Sequence, residues 1–204
     1  MRPIGLMTKG EQTKELILEK SAELFNLYGY NQASMSDIMD ATGLKKGGIY
    51  NHFSNKDEIA KAAFERAFEK VIRRFRAKLD LETTSKGKLS AIIDVFQSFY
   101  NDPVYKGGCP IYNTAIEATD AYPEIKNRAI DAVSTLHAYI EIKLREGIER
   151  GELNKSIDVS EIATFMMTTL EGAIILSRVY NNHVHVDRAV SFVRTYLNDH
   201  VFID

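Results

Sequence analysis

Apolar residues recur at helical spacing along almost the whole chain. From Glu11 to Tyr28 they fall at Ile17, Leu18, Ala22, Leu24, Phe25 and Tyr28, with Lys14, Glu15, Glu19, Lys20 and Glu23 between them. That pattern predicts an amphipathic helix, ended by Gly29. Ser34 or Ser36 is placed to cap a short second helix whose apolar side is Ile38, Met39 and Ala41 and whose exit is Gly43. A third short helix is predicted from about Lys45 to His52. Ser54 and Asn55 are cap candidates for a fourth, and Asp57 and Glu58 suit the positive end of its dipole. That helix keeps its period through Ile59, Ala63, Phe64, Phe68, Val71, Ile72, Phe75 and Leu79, until "LETTSKGK" breaks it. Beyond the break, helices are predicted at about 85–101, 110–121, 123–150, 157–181 and 186–201, separated by "NDPVYKGG", Pro123, "RGELNKS" and "NNHVHV". No convincing strand and no internal repeat interrupts this series. The predicted fold class is all-α, with about nine helices.

Composition narrows what such a chain does. Its 204 residues, 45% of them hydrophobic, are enough for one or two packed units. No apolar run approaches the roughly 18 residues of a membrane span, and "MRPIGLMTKGEQ" lacks the apolar core of a signal peptide, so a cytoplasmic protein is expected. Cys109 is the single cysteine, which excludes an internal disulfide and a thiolate metal site. His183 and His185 lie in a loop and are read as a solvated turn, so neither a metal nor a cofactor is expected. No G-x-S-x-G, P-loop, H-E-x-x-H or dinucleotide glycine pattern occurs, and nothing points to an enzyme. A net charge of −2 argues against coating nucleic acid by charge alone.

One stretch concentrates candidate chemistry. "LKKGGIYNHFSNKDE", residues 44 to 58, covers the third helix and the start of the fourth. Two short helices joined through Gly43 fit a helix-turn-helix, whose second helix enters the major groove of DNA. Adjacent glycines cost a helix about 1 kcal/mol each relative to alanine, so packing alone does not favour Gly47 and Gly48. Without side chains they let the backbone approach base edges or a phosphate. Lys45, Lys46 and Lys56 supply charge there, and Tyr50, Asn51 and His52 supply donors. Through residue 56 there are seven basic and six acidic side chains, so the footprint is local. Phe53 reads as core, and Tyr50 as ring inward with its hydroxyl outward.

The run "YNQASMSDIMDATGLKKGGIYNHFSNKDEI" resembles the DNA-binding domain of the TetR family of bacterial transcriptional regulators. Gly43, Leu44, Ile49, Tyr50, His52, Phe53, Lys56 and Ile59 carry the family pattern. The resemblance covers roughly residues 10 to 60. It implies that Ser34 and Ser36 flank a helix making phosphate and base contacts, that Lys46 and Gly48 face bases, and that Tyr50, His52 and Lys56 hold phosphates. It also implies a helix-turn-helix domain at 8–55 and a helical ligand-binding and dimerisation domain at 56–204. Double-stranded operator DNA, a small-molecule effector and a second copy of the chain are then the expected partners. The expected activity is that of a repressor released from a palindromic operator.

The second domain offers less specific signals. "IATFMMTTLEGAIILSRVY", residues 162–180, is apolar on more than one face, and the last helix has a narrower stripe. Together they look like the helix pair that, by the family resemblance, forms a four-helix interface with a second copy, through Leu170, Ile174, Val190, Val193 and Leu197; the other reading is a helix buried in the core of a monomer. Candidate ligand residues on the central helices are Phe96, Phe99, Tyr100, Tyr112, Asn113 and Ile116. Glu117, His137, Phe165 and Met166 join them. Cys109 sits at the cap of a helix opened by Pro110, where a thiol pKa can fall. A thiol-based sensor of electrophiles or oxidants is therefore the alternative to a non-covalent effector. The other reading of Cys109 is a small buried residue closing a helix cap.

Overall fold

The computed structural model of the chain describes residues 7–118 and 122–203. Among them are nine helices and no strand: α1 (Lys9–Tyr28), α2 (Met35–Thr42), α3 (Lys46–Tyr50), α4 (Lys56–Leu79), α5 (Ser85–Asn101), α6 (Pro110–Glu117), α7 (Pro123–Glu149), α8 (Val159–Val179) and α9 (Val184–His200). The all-α class is as expected. Differences lie at the ends. The third helix is five residues long rather than eight. The sixth closes at Glu117, and the rest of its expected extent falls partly on residues 119–121, outside the described residues.

Local chemistry explains the starts and stops. Ser34, not Ser36, caps α2: its hydroxyl accepts from Asp37 N–H at 3.2 Å, while the Asp37 carboxylate accepts from Ser34 N–H at 2.7 Å. The Ser34 hydroxyl also donates to that carboxylate at 2.7 Å, and this bond first, then the Ser34 N–H, holds the Asp37 carboxyl below its ordinary pKa. Gly43 closes α2 at φ 70°, a left-handed turn that a side chain would strain, and so fixes the exit toward α3. At the start of α4, Asn55 Oδ1 accepts from Glu58 N–H at 2.8 Å, and the Glu58 carboxylate accepts from Ser54 N–H at 2.7 Å.

The chain forms two compact units. The first takes residues 1–70 and 105–130, the second residues 71–104 and 131–204. In the first, α1 packs on α2 and on α6. Ile17, Ile38, Ile49, Phe53 and Ile59 are its buried centre. Burial of side chains this size contributes about 1.5–3 kcal/mol each, enough to hold five-residue α3 without favourable propensity.

In the second unit α8 packs on α9, and both pack on α5. Phe75, Phe96 and Phe99 meet edge to face at its centre, with ring centroids 5.6 to 6.3 Å apart. By length and composition α8 is apolar enough to cross a membrane, which corrects the expectation that no run approaches that length. Part of its apolar surface, Ile162, Met166, Met167, Leu170 and Ile174 among it, is buried within the chain, where α8 packs on α5 and α9.

Candidate functional site

The helix-turn-helix presents its short helix outward. Lys45, Lys46, Gly47, Tyr50 and Asn51 are exposed, and only Ile49 of α3 is buried. Nothing lies within 4 Å of the place a Gly47 Cβ would occupy. The glycine is thus not needed by the packing of this chain. A Gly48 Cβ would meet only Leu44, at 3.5 Å, an ordinary contact. Lys46 Nζ lies 5.5 Å from the Tyr50 ring centroid. Ser36 is exposed and His52 half-buried. Lys56, the first residue of α4, has its ammonium 4.2 Å from the Tyr30 ring centroid.

Behind that surface a clamp ties α1 to the segment 105–117. Asn26 is buried near the end of α1, and its Nδ2 donates to the carbonyls of Lys106 at 2.9 Å and Gly108 at 3.1 Å. Its Oδ1 accepts from Asn113 Nδ2 at 2.8 Å. Glu117, at the end of α6, accepts from the backbone N–H of Tyr30 at 2.8 Å and of Asn31 at 3.0 Å. Gly29, at φ 81°, lets that carboxylate approach, because a Cβ there would overlap it. Further along, the Tyr105 hydroxyl donates to Glu19 at 3.0 Å, Lys70 pairs with Glu19, and Arg66 pairs with Glu15 at 2.7 Å. Burial works against the Glu19 charge, but the Lys70 hydrogen bond and charge outweigh it and hold the carboxyl below its usual range. Burial and the neighbouring Glu19 push the Tyr105 hydroxyl up.

A cleft opens beside the clamp. Its cavity volume is about 40 Å³, within a wider space of about 560 Å³ that reaches solvent. Phe25, Tyr30, Phe64 and Tyr122 give it aromatic walls, and Pro110, Thr114, Glu117 and Ala118 form the α6 side. Small residues make the room: Ala60, Ala63 and Ala67 line one face of α4, opposite Ala22 of α1. Tyr30 is the junction. Its ring edge meets Tyr122 at 4.5 Å, and its hydroxyl donates to Asp57 beside Lys56. Burial, then the Asp57 hydrogen bond, raises the Tyr30 pKa well above that of a free phenol.

The structure distributes the expected ligand residues unevenly. Tyr112, Asn113 and Ile116 lie on α6, but Asn113 is held by Asn26 and Ile116 is 71% exposed. Of the expected ligand residues, Glu117 is the one that lines the cleft. Phe96, Phe99 and Met166 are core of the second unit, Tyr100 is half-buried on α5, and His137 bonds Thr164 at 3.0 Å. Phe165 packs on Phe192 and Tyr196. Cys109 caps α6 with 1% exposure, which shields the thiol; the sensor alternative finds no support.

The expected dimer residues also need correction. Leu170, Ile174, Val190, Val193 and Leu197 are all buried within one chain, on helices that pack on each other and on α5. The apolar surface left over is Leu176, Val179, Tyr180 and Phe192, with 46 to 71% exposure. Sequence reasoning chose the inner stripe because burial against α5 is not visible in a helix pattern. It also passed over Asn26, and Glu171, a carboxylate in the apolar run of α8. Glu171 is 5% exposed, and its Oε2 has no hydrogen-bond partner among the described residues. Burial pushes its pKa up to about 8 despite the opposing charge of Arg178.

An all-helical chain that presents a capped two-helix motif with outward lysines and glycines is a helix-turn-helix DNA-binding regulator. The chain belongs to the TetR family. Residues 17–63 match the model of bacterial regulatory proteins of the tetR family, and residues 85–193 match the tetracyclin repressor-like C-terminal domain. It is similar to a TetR transcriptional regulator from Chloroflexus aurantiacus J-10-FL, with 38% identity and a TM-score of 0.93 over 97% of this chain and 100% of that one. A TetR-family regulator from Cytophaga hutchinsonii is 31% identical, with a TM-score of 0.85 over 97% of this chain and 98% of that one. The HTH-type transcriptional repressor ComR of Escherichia coli (strain K12) is 27% identical over 81% of this chain and 79% of its own length. TetR regulators are dimers that bind operator DNA and respond to small-molecule effectors. The chain is accordingly a ligand-responsive, DNA-binding transcriptional regulator.

Proposed function

We propose that the chain is a homodimeric repressor that holds a palindromic operator until a small molecule enters the cleft of the first unit. The observation that carries this reading is Tyr30, which is both a wall of the cleft and the ring beneath Lys56. Residues 8–55 serve as the DNA-binding domain and lend Ala22, Phe25 and Tyr30 to the effector cleft, while residues 56–204 supply its remaining walls and the dimerisation surface. Lys46, Gly47 and Gly48 face bases, and Ser36, Tyr50, His52 and Lys56 hold phosphates, with Lys45 and Asn51 at the rim. The Ser34 hydroxyl is spent on the α2 cap, so its role is to set the angle of that helix.

The enclosed part of the cleft holds only a few waters, so an effector must move its walls. One wall is the last turn of α1, which leads directly into α2. A preference of the effector for the displaced state worth about 1–3 kcal/mol weakens DNA affinity about 5- to 150-fold. The second copy docks on the outer stripe of α8 and α9, where Leu176, Val179 and Phe192 are exposed and Gly172 leaves open space. The protein acts in the cytoplasm by binding, without catalysis, metal or cofactor.

Gel shifts with sheared genomic DNA, including the region upstream of its own gene, test the reading. A specific fragment bound by one dimer is expected, with half-sites about 34 Å apart or slightly more. Failure of every fragment to survive competitor DNA would overturn it.

A further inference from the structure

The walls of the cleft define the charge of what it accepts. Glu117 is the one charged residue among its lining, and no lysine, arginine or histidine is found there among the described residues. The Glu117 carboxylate receives two backbone N–H groups, which orient it but leave its charge unbalanced. Asn26 is engaged as donor and acceptor and has little to offer a ligand. Four aromatic rings surround the space, and their faces attract a cation as well as apolar groups. An anion would be repelled by Glu117, and a neutral apolar molecule would strip water from a carboxylate whose charge only two backbone N–H groups offset, which is costly. A second groove shares Tyr122 and Ile125 with the cleft and carries Asp57 and Glu124, where Lys61 is already paired with Glu124 at 2.5 Å.

We infer that the cleft takes a hydrophobic organic monocation, a tertiary or quaternary amine bearing aryl or alkyl groups, with Glu117 as its counter-charge and Phe25, Tyr30, Phe64 and Tyr122 around it. This rests on the reading of the cleft as the effector site. The ammonium draws the carboxylate from the N–H groups of Tyr30 and Asn31, and the bulky groups part α6 from α1 and α4. The turn between α1 and α2 thereby loses its anchor, so the chemistry that recognises the cation also loosens the helix-turn-helix.

Calorimetry with three probes tests it: benzyltrimethylammonium, neutral benzyl alcohol and anionic phenylacetate. Each is titrated into the full-length protein and into Glu117→Gln and Thr114→Phe, with circular dichroism melts to confirm folding. Fluorescence anisotropy of bound operator reports release. The cation should bind and release DNA, about tenfold or more weaker in Glu117→Gln, and lose binding in Thr114→Phe, whose ring fills the cleft. A neutral or anionic probe that binds as well, and is also lost in Thr114→Phe, overturns the cationic class and leaves the cleft standing. Binding indifferent to Thr114→Phe overturns the cleft itself. No binding of the cation up to about 10 mM, an affinity too weak for a regulator, also overturns the inference.

Discussion

Gly47→Ala separates a glycine kept for DNA from one kept for the fold. Gly47 is exposed on α3, has no positive φ, and its added Cβ meets nothing within 4 Å. Nothing in the isolated chain resists the methyl group. Alanine should therefore stabilise the protein by about 0.5–1 kcal/mol through helix propensity and a less flexible unfolded chain. For a chain of this size that raises Tm by about 1–4 °C. On DNA the sign reverses. A backbone that sits against base edges or phosphate is held off by the methyl group, and losing one base contact costs about 1–3 kcal/mol, or about 5- to 150-fold in affinity. Thermal melts and anisotropy titrations at one fixed salt concentration measure the two effects. A raised Tm with unchanged operator affinity would refute the close approach, and a lowered Tm would refute the open surface.

Three further outcomes are expected. Lys56→Ala should weaken all duplexes alike and reduce the slope of log affinity against log salt by about one, read from titrations at several salt concentrations; an unchanged slope removes Lys56 from the phosphate contacts. Val179→Asp and Phe192→Asp change exposed residues and should give folded monomers in sedimentation, whereas Ile174→Asp, at 1% exposure, should unfold the chain; folded dimers for both surface variants would move the interface elsewhere. Glu171 has a folded pKa of about 8 against an unfolded value of about 4.5, so the native state binds the extra proton. The stability this group contributes is full below about pH 4.5 and is lost as pH rises through about 8. Urea melts should show wild type losing stability between about pH 4.5 and 8, and levelling off above that, relative to Glu171→Gln; parallel curves would count against the buried carboxylate.

Much of the first unit was legible because its signals are local. Caps, Gly43 and the Gly-Gly pair act within a few residues, so spacing alone located α2, α3 and the start of α4. The cleft was harder to see, because it is defined by what is missing. Ala60, Ala63 and Ala67 recur on one face of α4 where larger residues would close the core, and that stripe of small side chains was the available clue. Aromatic residues drew attention instead, and Phe96 and Phe99 turned out to fill a core with Phe75. The Asn26 and Glu117 clamps join residues about eighty to ninety positions apart in sequence, which no periodicity reveals. The stripe expected to face a second copy is buried within the chain for a related reason: a helix apolar all round does not announce which face its own chain covers.

Tyr30 has a consequence for how this regulator can be altered. Its ring walls the cleft and underlies Lys56, and its backbone N–H is held by Glu117. With the cleft as the proposed effector site and Lys56 as the proposed phosphate contact, a substitution there should change small-molecule preference and grip on DNA together, so that neither is tuned alone. Thr114 and Ala118 face the same cleft from α6, without Tyr30's place beneath Lys56. A library built to convert this protein into a sensor for a new compound should vary those two positions and leave Tyr30 alone, because diversity at Tyr30 would yield variants that fail to repress before they can be screened for response.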